Sequence, residues 1–422
     1  MKKINDRNIL LNRLLLSLGI LTFIRIGTFL PIPSINHQHL AFYLERHSLT
    51  KTLINTFSGN KIFVIGLFTL NIFPYINASI LIQTLISFFP NLYKLQKEGG
   101  NEGKRSITKL TRLLTLCWAF IQSFSITIYL KKVLFNWDIY LAVEIIVWLT
   151  TGAMIVLWLS EIITEYGLGN GPSLLIYTNI VSNLPNVAKN LFITNHPNIS
   201  IQIWVTSIIV FLIAIYGIVL LQEGTRIINL VSSKQLNQTA EYISKLFEVE
   251  NENNYIPLRF NQAGVMPIIL TTAILIIPNY ITNIGLLPII SVPIFVKSSK
   301  IIYWISYFIL ISLFSSFYST LILNPKDVSN ELQKMAVSIP EIRPGIETTF
   351  YLRQIMKRVT YLGAIILAIL TTLPNLIQIL IPNSNFNSLG TTSLLILVGV
   401  ILDLSREIRS IILSNIYNEM FT

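Results

Sequence analysis

Apolar runs long enough to cross a bilayer recur along this chain from Leu10 onward, and one of them, Phe63 to Phe89, is interrupted by Pro74. A spanning helix needs about 20 mainly apolar residues, and hydrocarbon admits only helices or closed barrels. The repetition therefore restricts the fold to a polytopic bundle of membrane helices. Composition agrees: 52% of the 422 residues are hydrophobic, 12% are charged and mean hydropathy is +0.63, against about 25% charged residues in a soluble domain. Leu10 to Leu30 is too long for the apolar core of a cleavable signal, and no small-residue cleavage site follows it. Cys117 is the one cysteine, so no internal disulfide is expected.

Ten segments are expected to span: 10–30, 63–89, 110–130, 142–163, 172–193, 201–221, 262–281, 302–323, 359–381 and 389–402. An inside N-terminus places loops 91–109, 164–171, 222–261 and 324–358, and the C-terminal tail, on one side. Most of the 31 lysines and arginines fall on that side; the outer side holds Arg46, Lys51, Lys61, Lys131, Lys132, Lys189, Lys297 and Lys300. The positive-inside rule then puts both termini inside. Arg25, within the first span, either snorkels to the outer interface or faces a water-filled cavity.

Two readings of the interrupted run stand. Proline removes a helical hydrogen bond and clashes with the preceding turn, and Asn71 and Asn77 flank Pro74. Either a short re-entrant helix over about Leu53 to Leu70 precedes a spanning half from Phe73 to Phe89, or one helix runs through with a kink.

The polar residues exclude several chemistries. GGNEGKRS (99–106) fails the phosphate-loop spacing, and Gly167, Gly169 and Gly171 alternate as GxGxG, which is not the dinucleotide fingerprint. Glu161 and Glu165, one turn apart at a helix end, read as solvated. His37, His39, His47 and His196 all lie in outer loops, and no span carries paired carboxylates at mid-depth. Proton-coupled pumping and metal or aspartyl catalysis need such groups, so no enzyme, cofactor or metal is expected. Neutral polar groups do occur within spans: Gln83, Thr84 and Ser87; Gln122, Ser123 and Ser125; Thr271 and Thr272; Ser312, Ser315, Ser316 and Ser319. Such groups join helices weakly, by about 0.6 kcal/mol per contact, which suits a separable seam and equally suits ordinary bundle packing. Loops 222–261 and 324–358 are long, mixed in charge and spaced with apolar residues, as expected of structured, protruding docking loops. Their basic tips either contact ribosomal RNA phosphates or an acidic protein, or serve only to set topology.

Several stretches together resemble the SecY family of protein-translocase channels. They are RIGTFLPIP at 25–33, NTFSGNKIFVIGLFTLNIFPYINASILIQ at 55–83, KEGGNEGKRSITKLTRLLTL at 97–116, WLSEIITEYGLGNG at 158–171, FNQAGVMPIIL at 260–270, NPKDVSNELQK at 324–334, IPEIRPG at 339–345 and GTTSLLILVGVILD at 390–403. They follow the family order and cover most of the chain. The resemblance implies an all-α fold of ten transmembrane helices in two inverted five-helix halves, 1–193 and 194–422, hinged near 184–202. A re-entrant plug at about 53–66 would fill the outer funnel of an hourglass pore. The implied pore ring is Ile72, Ile76, Ile176, Ile180, Ile269 and Ile396. The implied lateral gate uses Gln83, Thr84, Gln122, Thr271, Thr272, Ser315 and Ser316. Arg343, with Lys334, Arg353, Arg226 and Lys234, would dock the motor ATPase SecA or the ribosome. The basic run after the sixth span is sparser here than in the family, with Arg226 and Lys234 alone.

The implied function is passive translocation of unfolded preproteins across a membrane and lateral insertion into its lipid. Implied partners are a SecE-like subunit, a SecG-like subunit, SecA, and the ribosome with its signal-recognition targeting machinery. The composition, rich in Ile, Asn and Lys, hints at an AT-rich genome; with it, the resemblance implies a plastid thylakoid membrane or an AT-rich bacterial inner membrane. A different reading of the same residues is a secondary transporter of small neutral solutes built on broken helices. An intramembrane enzyme is a third, lacking nameable catalytic groups.

Overall fold

The computed structural model describes residues 2–33, 65–131, 138–193, 201–232, 255–262, 264, 267–268, 270–271, 300–380 and 391–421. The helices are α1 (Lys2–Gly27), α2 (Phe73–Phe88), α3 (Pro90–Glu98), α4 (Gly100–Lys131), α5 (Ile139–Tyr166), α6 (Gly171–Ile193), α7 (Ile201–Glu223), α8 (Lys300–Ile322), α9 (Pro325–Lys334), α10 (Ile346–Leu380) and α11 (Thr391–Phe421). Four short strands join them: β1 (Thr225–Asn229), β2 (Val231–Ser232), β3 (Tyr255–Arg259) and β4 (Val337–Ser338).

Among the described residues, four helical stretches are long and apolar enough to cross a membrane: Leu10–Gly27, Gly100–Ile128, Ile139–Tyr166 and Ile346–Thr371. The pair Phe73–Ile86 and Pro90–Gln96, bent by 107°, adds a fifth if it is one span. The expected segments 172–193, 201–221, 302–323 and 389–402 are helical as α6, α7, α8 and α11, whereas 262–281 lies largely outside the described residues. α4 and α5 turn rows of large apolar side chains outward, Leu113, Leu116, Phe120 and Phe124 on one and Val143, Val147 and Trp158 on the other. Exposed apolar rows on helices of spanning length are the mark of a lipid-facing surface.

The chain divides into two compact units, Met1–Lys189 with Val400–Thr422, and Asn190–Gly399. In the first, Ile32, Ile65, Leu70, Ala119, Leu130, Ile145, Leu149 and Ala153 form a buried cluster. α4 turns small residues inward at four-residue intervals: Thr115, Ala119, Ser123 and Thr127. Their hydroxyls return to their own helix, Thr115 Oγ1 donating to the Thr111 carbonyl at 2.7 Å and Thr127 Oγ1 to that of Ser123 at 2.7 Å. Hydroxyls satisfied this way leave the helix surface narrow, so neighbours approach closely. Arg112 clamps α4 to α5, its Nε and Nη2 donating to the two Glu161 oxygens at 2.9 and 2.8 Å. So half-exposed a pair contributes at most about 1 kcal/mol. The two carboxylates expected to be solvated thus divide: Glu161 holds Arg112, and Glu165 is exposed. In α1, the Arg25 guanidinium lies over the Phe29 ring, 5.2 Å from its centroid.

The second unit contains the described parts of loops 222–261 and 324–358, and these pair with each other. β1 pairs antiparallel with β3, from Thr225 opposite Arg259 to Asn229 opposite Tyr255. β2 pairs with β4, Val231 opposite Ser338 and Ser232 opposite Val337. Ile228, Leu258, Leu332, Ile339, Leu352, Ile355, Met356 and Val359 close into a core beneath these strands and α9. Full burial of each such side chain is worth about 1.5–3 kcal/mol. α10 supplies the last four of them and continues for 35 residues, about 50 Å at 1.5 Å per residue, so one unbroken rod carries both the loop core and a span.

Candidate functional site: the interrupted span and the docking loops

The interruption is a new helix start. α2 begins at Phe73 and holds Pro74 in its first turn, where the missing N–H would have no helical partner anyway. The kinked-helix reading is therefore excluded. The re-entrant helix fails too over its described end, because residues 67–72 are turns; residues 53–64 lie outside the described residues. Backbone pairing with the end of the first span explains this. The Ile32 amide donates to the Ile65 carbonyl at 3.2 Å, and the Leu67 amide to that of Leu30 at 2.9 Å. Asn71 takes φ 47° and its Oδ1 accepts from the Ile72 amide at 2.8 Å, so its short polar side chain caps the turn it makes.

Two glycines let this segment lie where it does. A Cβ on Gly66 would strike the Thr28 carbonyl, and one on Gly152 of α5 would strike that of Leu67. The turn segment is thereby wedged between the end of α1 and the middle of α5, with Ile65, Leu70 and Ile72 fully buried. Non-helical backbone within a span needs such cover.

Of the expected ring, Ile72 and Ile76 are buried and stacked one turn apart, the Ile76 amide donating to the Ile72 carbonyl at 3.1 Å. Ile176 and Ile180 are half-buried on α6, Ile396 is half-buried on α11, and Ile269 lies outside the described residues. Of the expected gate, Gln83 and Ser316 are exposed, Thr84 and Gln122 are half-buried, Thr271 and Ser315 are buried, and Thr272 lies outside the described residues. Thr84, Thr271 and Ser316 donate to carbonyls of Leu81, Pro267 and Leu313, three or four residues back, at 2.7, 2.7 and 3.0 Å. These bonds stay within their own helices. Ser319 reaches across, donating to Gln262 Oε1 at 2.8 Å and lying 2.7 Å from Thr360 Oγ1 of α10. It was visible in the sequence only as one of five serines on α8.

The described ones among the expected docking positions lie around the loop core. Arg343, Lys334, Arg353 and Arg226 are exposed, and Lys234 lies outside the described residues. Arg343 sits in a braced turn between Glu341 at φ 65° and Gly345 at φ 113°. The Arg343 carbonyl accepts from Thr348 Oγ1 at 2.8 Å, and the Gly345 carbonyl from Ser329 Oγ at 2.8 Å and Thr349 Oγ1 at 2.7 Å. Glycine suits the left-handed conformation there. Around this turn Met335, Ile346 and Phe350 are exposed by 69, 89 and 70%, so the presented surface is basic and apolar at once. Among the described residues, no group of His, Cys, Asp and Glu is placed to hold a metal.

A sequence model of the SecY family matches residues 66–405. The chain is 66% identical to Protein translocase subunit SecY of Trieres chinensis, over 100% of both. It is 41% identical to that subunit of Porphyra purpurea over 99% of each, and 39% identical to that of Synechocystis, over 97% of this chain and 93% of the relative. Two solved structures share its fold. One, concerned with the SecY plug domain and the closed state of its channel, superposes with TM-score 0.64 at 16% identity, over 95% of this chain and 92% of that one. The other, a protein-conducting channel, gives 0.61 at 18% over the same shares. A family match across most of the length, joined to close relatives aligned from end to end, establishes that the chain belongs to the SecY family.

Proposed function

We propose that this chain is the protein-conducting subunit of a translocase, a passive conduit for unfolded preproteins across a membrane or sideways into its lipid. The observation that carries the reading is the 66% identity, over the entire chain, with a translocase subunit SecY. In this reading ten helices form two inverted halves, 1–193 and 194–422, and residues 53–66 stopper the outer funnel. Ile72, Ile76, Ile176, Ile180, Ile269 and Ile396 form a narrow apolar ring that holds back ions by dewetting and yields to a passing chain. The stacking and burial of Ile72 and Ile76 support that role. Gln83, Thr84, Gln122, Thr271, Thr272, Ser315 and Ser316 form the lateral gate. Hydroxyls already satisfied within their own helices lose little when neighbours part, which supports a separable seam.

The braced, exposed Arg343 turn, with Lys334, Arg353, Arg226 and Lys234, docks whatever supplies the work: SecA, or a ribosome delivered by the signal-recognition machinery. A channel of the same fold, canine Sec61, was solved in a ribosome–channel complex, which supports a ribosome as one such partner. SecE-like and SecG-like subunits complete the assembly, in a plastid thylakoid membrane with both termini on the stromal side. Reconstitution tests this. Liposomes carrying the chain with its co-purifying subunits are expected to take up a signal-bearing preprotein only when SecA and ATP are added. Saturable uptake of a small neutral solute by the chain alone, with no preprotein transport, would overturn the reading in favour of a transporter.

A further inference from the structure

The step from the docking loops into the seventh segment has an unusual hydrogen-bond balance. Phe260 is fixed on both sides: its amide donates to the Gly224 carbonyl at 3.0 Å, and its own carbonyl lies against Gly363 of α10, where a Cβ would collide with it. The next two residues are polar and largely buried. Asn261 Nδ2 donates to the Gly264 carbonyl at 3.1 Å, and Gln262 Oε1 accepts from Ser319. Three buried polar atoms here have no protein partner among the described residues: Asn261 Oδ1, Gln262 Nε2 and the Tyr318 hydroxyl. Tyr318 precedes Ser319 on α8, and it is 1% exposed.

Reversing the amides does not remove the imbalance. A turned Gln262 would give Ser319 its donor and leave an acceptor alone, while a turned Asn261 would set two oxygens against each other at Gly264. Asn261 Oδ1 can only accept, Gln262 Nε2 can only donate and the Tyr318 hydroxyl can do either, so each calls for a small molecule that both donates and accepts. Water is the smallest such molecule, and buried polar groups of this kind hold it with about three hydrogen bonds. A Cβ placed on Gly264 would meet nothing within 4 Å, so there is open space beside the joint.

We infer that Asn261, Gln262 and Tyr318 hold ordered internal water where β3 passes into the seventh segment.

The test is a structure of the chain in its native complex at a resolution that shows internal water. Density within hydrogen-bonding distance of Gln262 Nε2 and Asn261 Oδ1, assignable to water, is expected. Protein atoms from residues 263–266 filling those positions, or an empty space there beside well-defined water elsewhere, would overturn the inference. Tyr318→Phe gives an independent reading, because it removes a hydroxyl without breaking any bond to a described protein group. A hydrated joint predicts a lower melting midpoint for the complex, whereas a midpoint unchanged or raised would contradict it.

Discussion

Single residues decide how closely the interrupted span is held. Gly152 lies in the middle of a spanning helix and leaves room for the Leu67 carbonyl. Gly152→Val should displace that backbone at a cost of about 1–3 kcal/mol, read as a lower melting midpoint and a smaller yield of assembled complex; an unaltered midpoint would mean the wedge contributes nothing. Arg343 is exposed and hydrogen-bonded through its backbone only as far as the described contacts go, so its side chain is free for a partner. Arg343→Glu should cut SecA-dependent transport at least several-fold with the midpoint preserved; equal transport would move docking elsewhere. The sequence made some of this legible. Arg343 within IPEIRPG, and Ile72 and Ile76, entered as positions that the family resemblance implies, and their exposure and burial are consistent with those places. Gly152 and Gly66 were not found, because a glycine in an apolar run signals close approach without naming what approaches. Only the pairing of residues 65–67 with 30–32 supplies the other half of that contact.

At the scale of elements, helices were the easily read part, since their apolar length is set by the bilayer and is visible in composition alone. Of the two readings left open for the interrupted run, the one with a spanning half from Phe73 agrees with the start of α2. The stretch before it was misread as helix to Leu70, because its backbone is satisfied by long-range pairing and turns that no local periodicity encodes. The strands of the docking loops were missed for a related reason: β2 and β4 are two residues each and more than a hundred positions apart. Their pairing welds the two inner loops into one body. Val231→Cys with Ser338→Cys should therefore form a disulfide under mild oxidation, and the bridged protein should still transport preprotein. Failure to bridge would mean the loops are independent.

At the scale of the whole molecule, the proposed function is that of a conduit closed by apolar side chains and opened by an external motor. The resemblance stated from the sequence and the family match agree on what kind of protein this is, and they do so through motifs scattered over the full length. Position relative to the passing chain is what matters, so the most direct measurement is photocrosslinking from inside the complex to a preprotein stalled part-way through. A photoreactive residue at Ile76 should label the stalled chain strongly, and one at Leu113, on the exposed face of α4, should label lipid instead. Strong labelling from Leu113 with none from Ile76, while transport continues, would contradict the account.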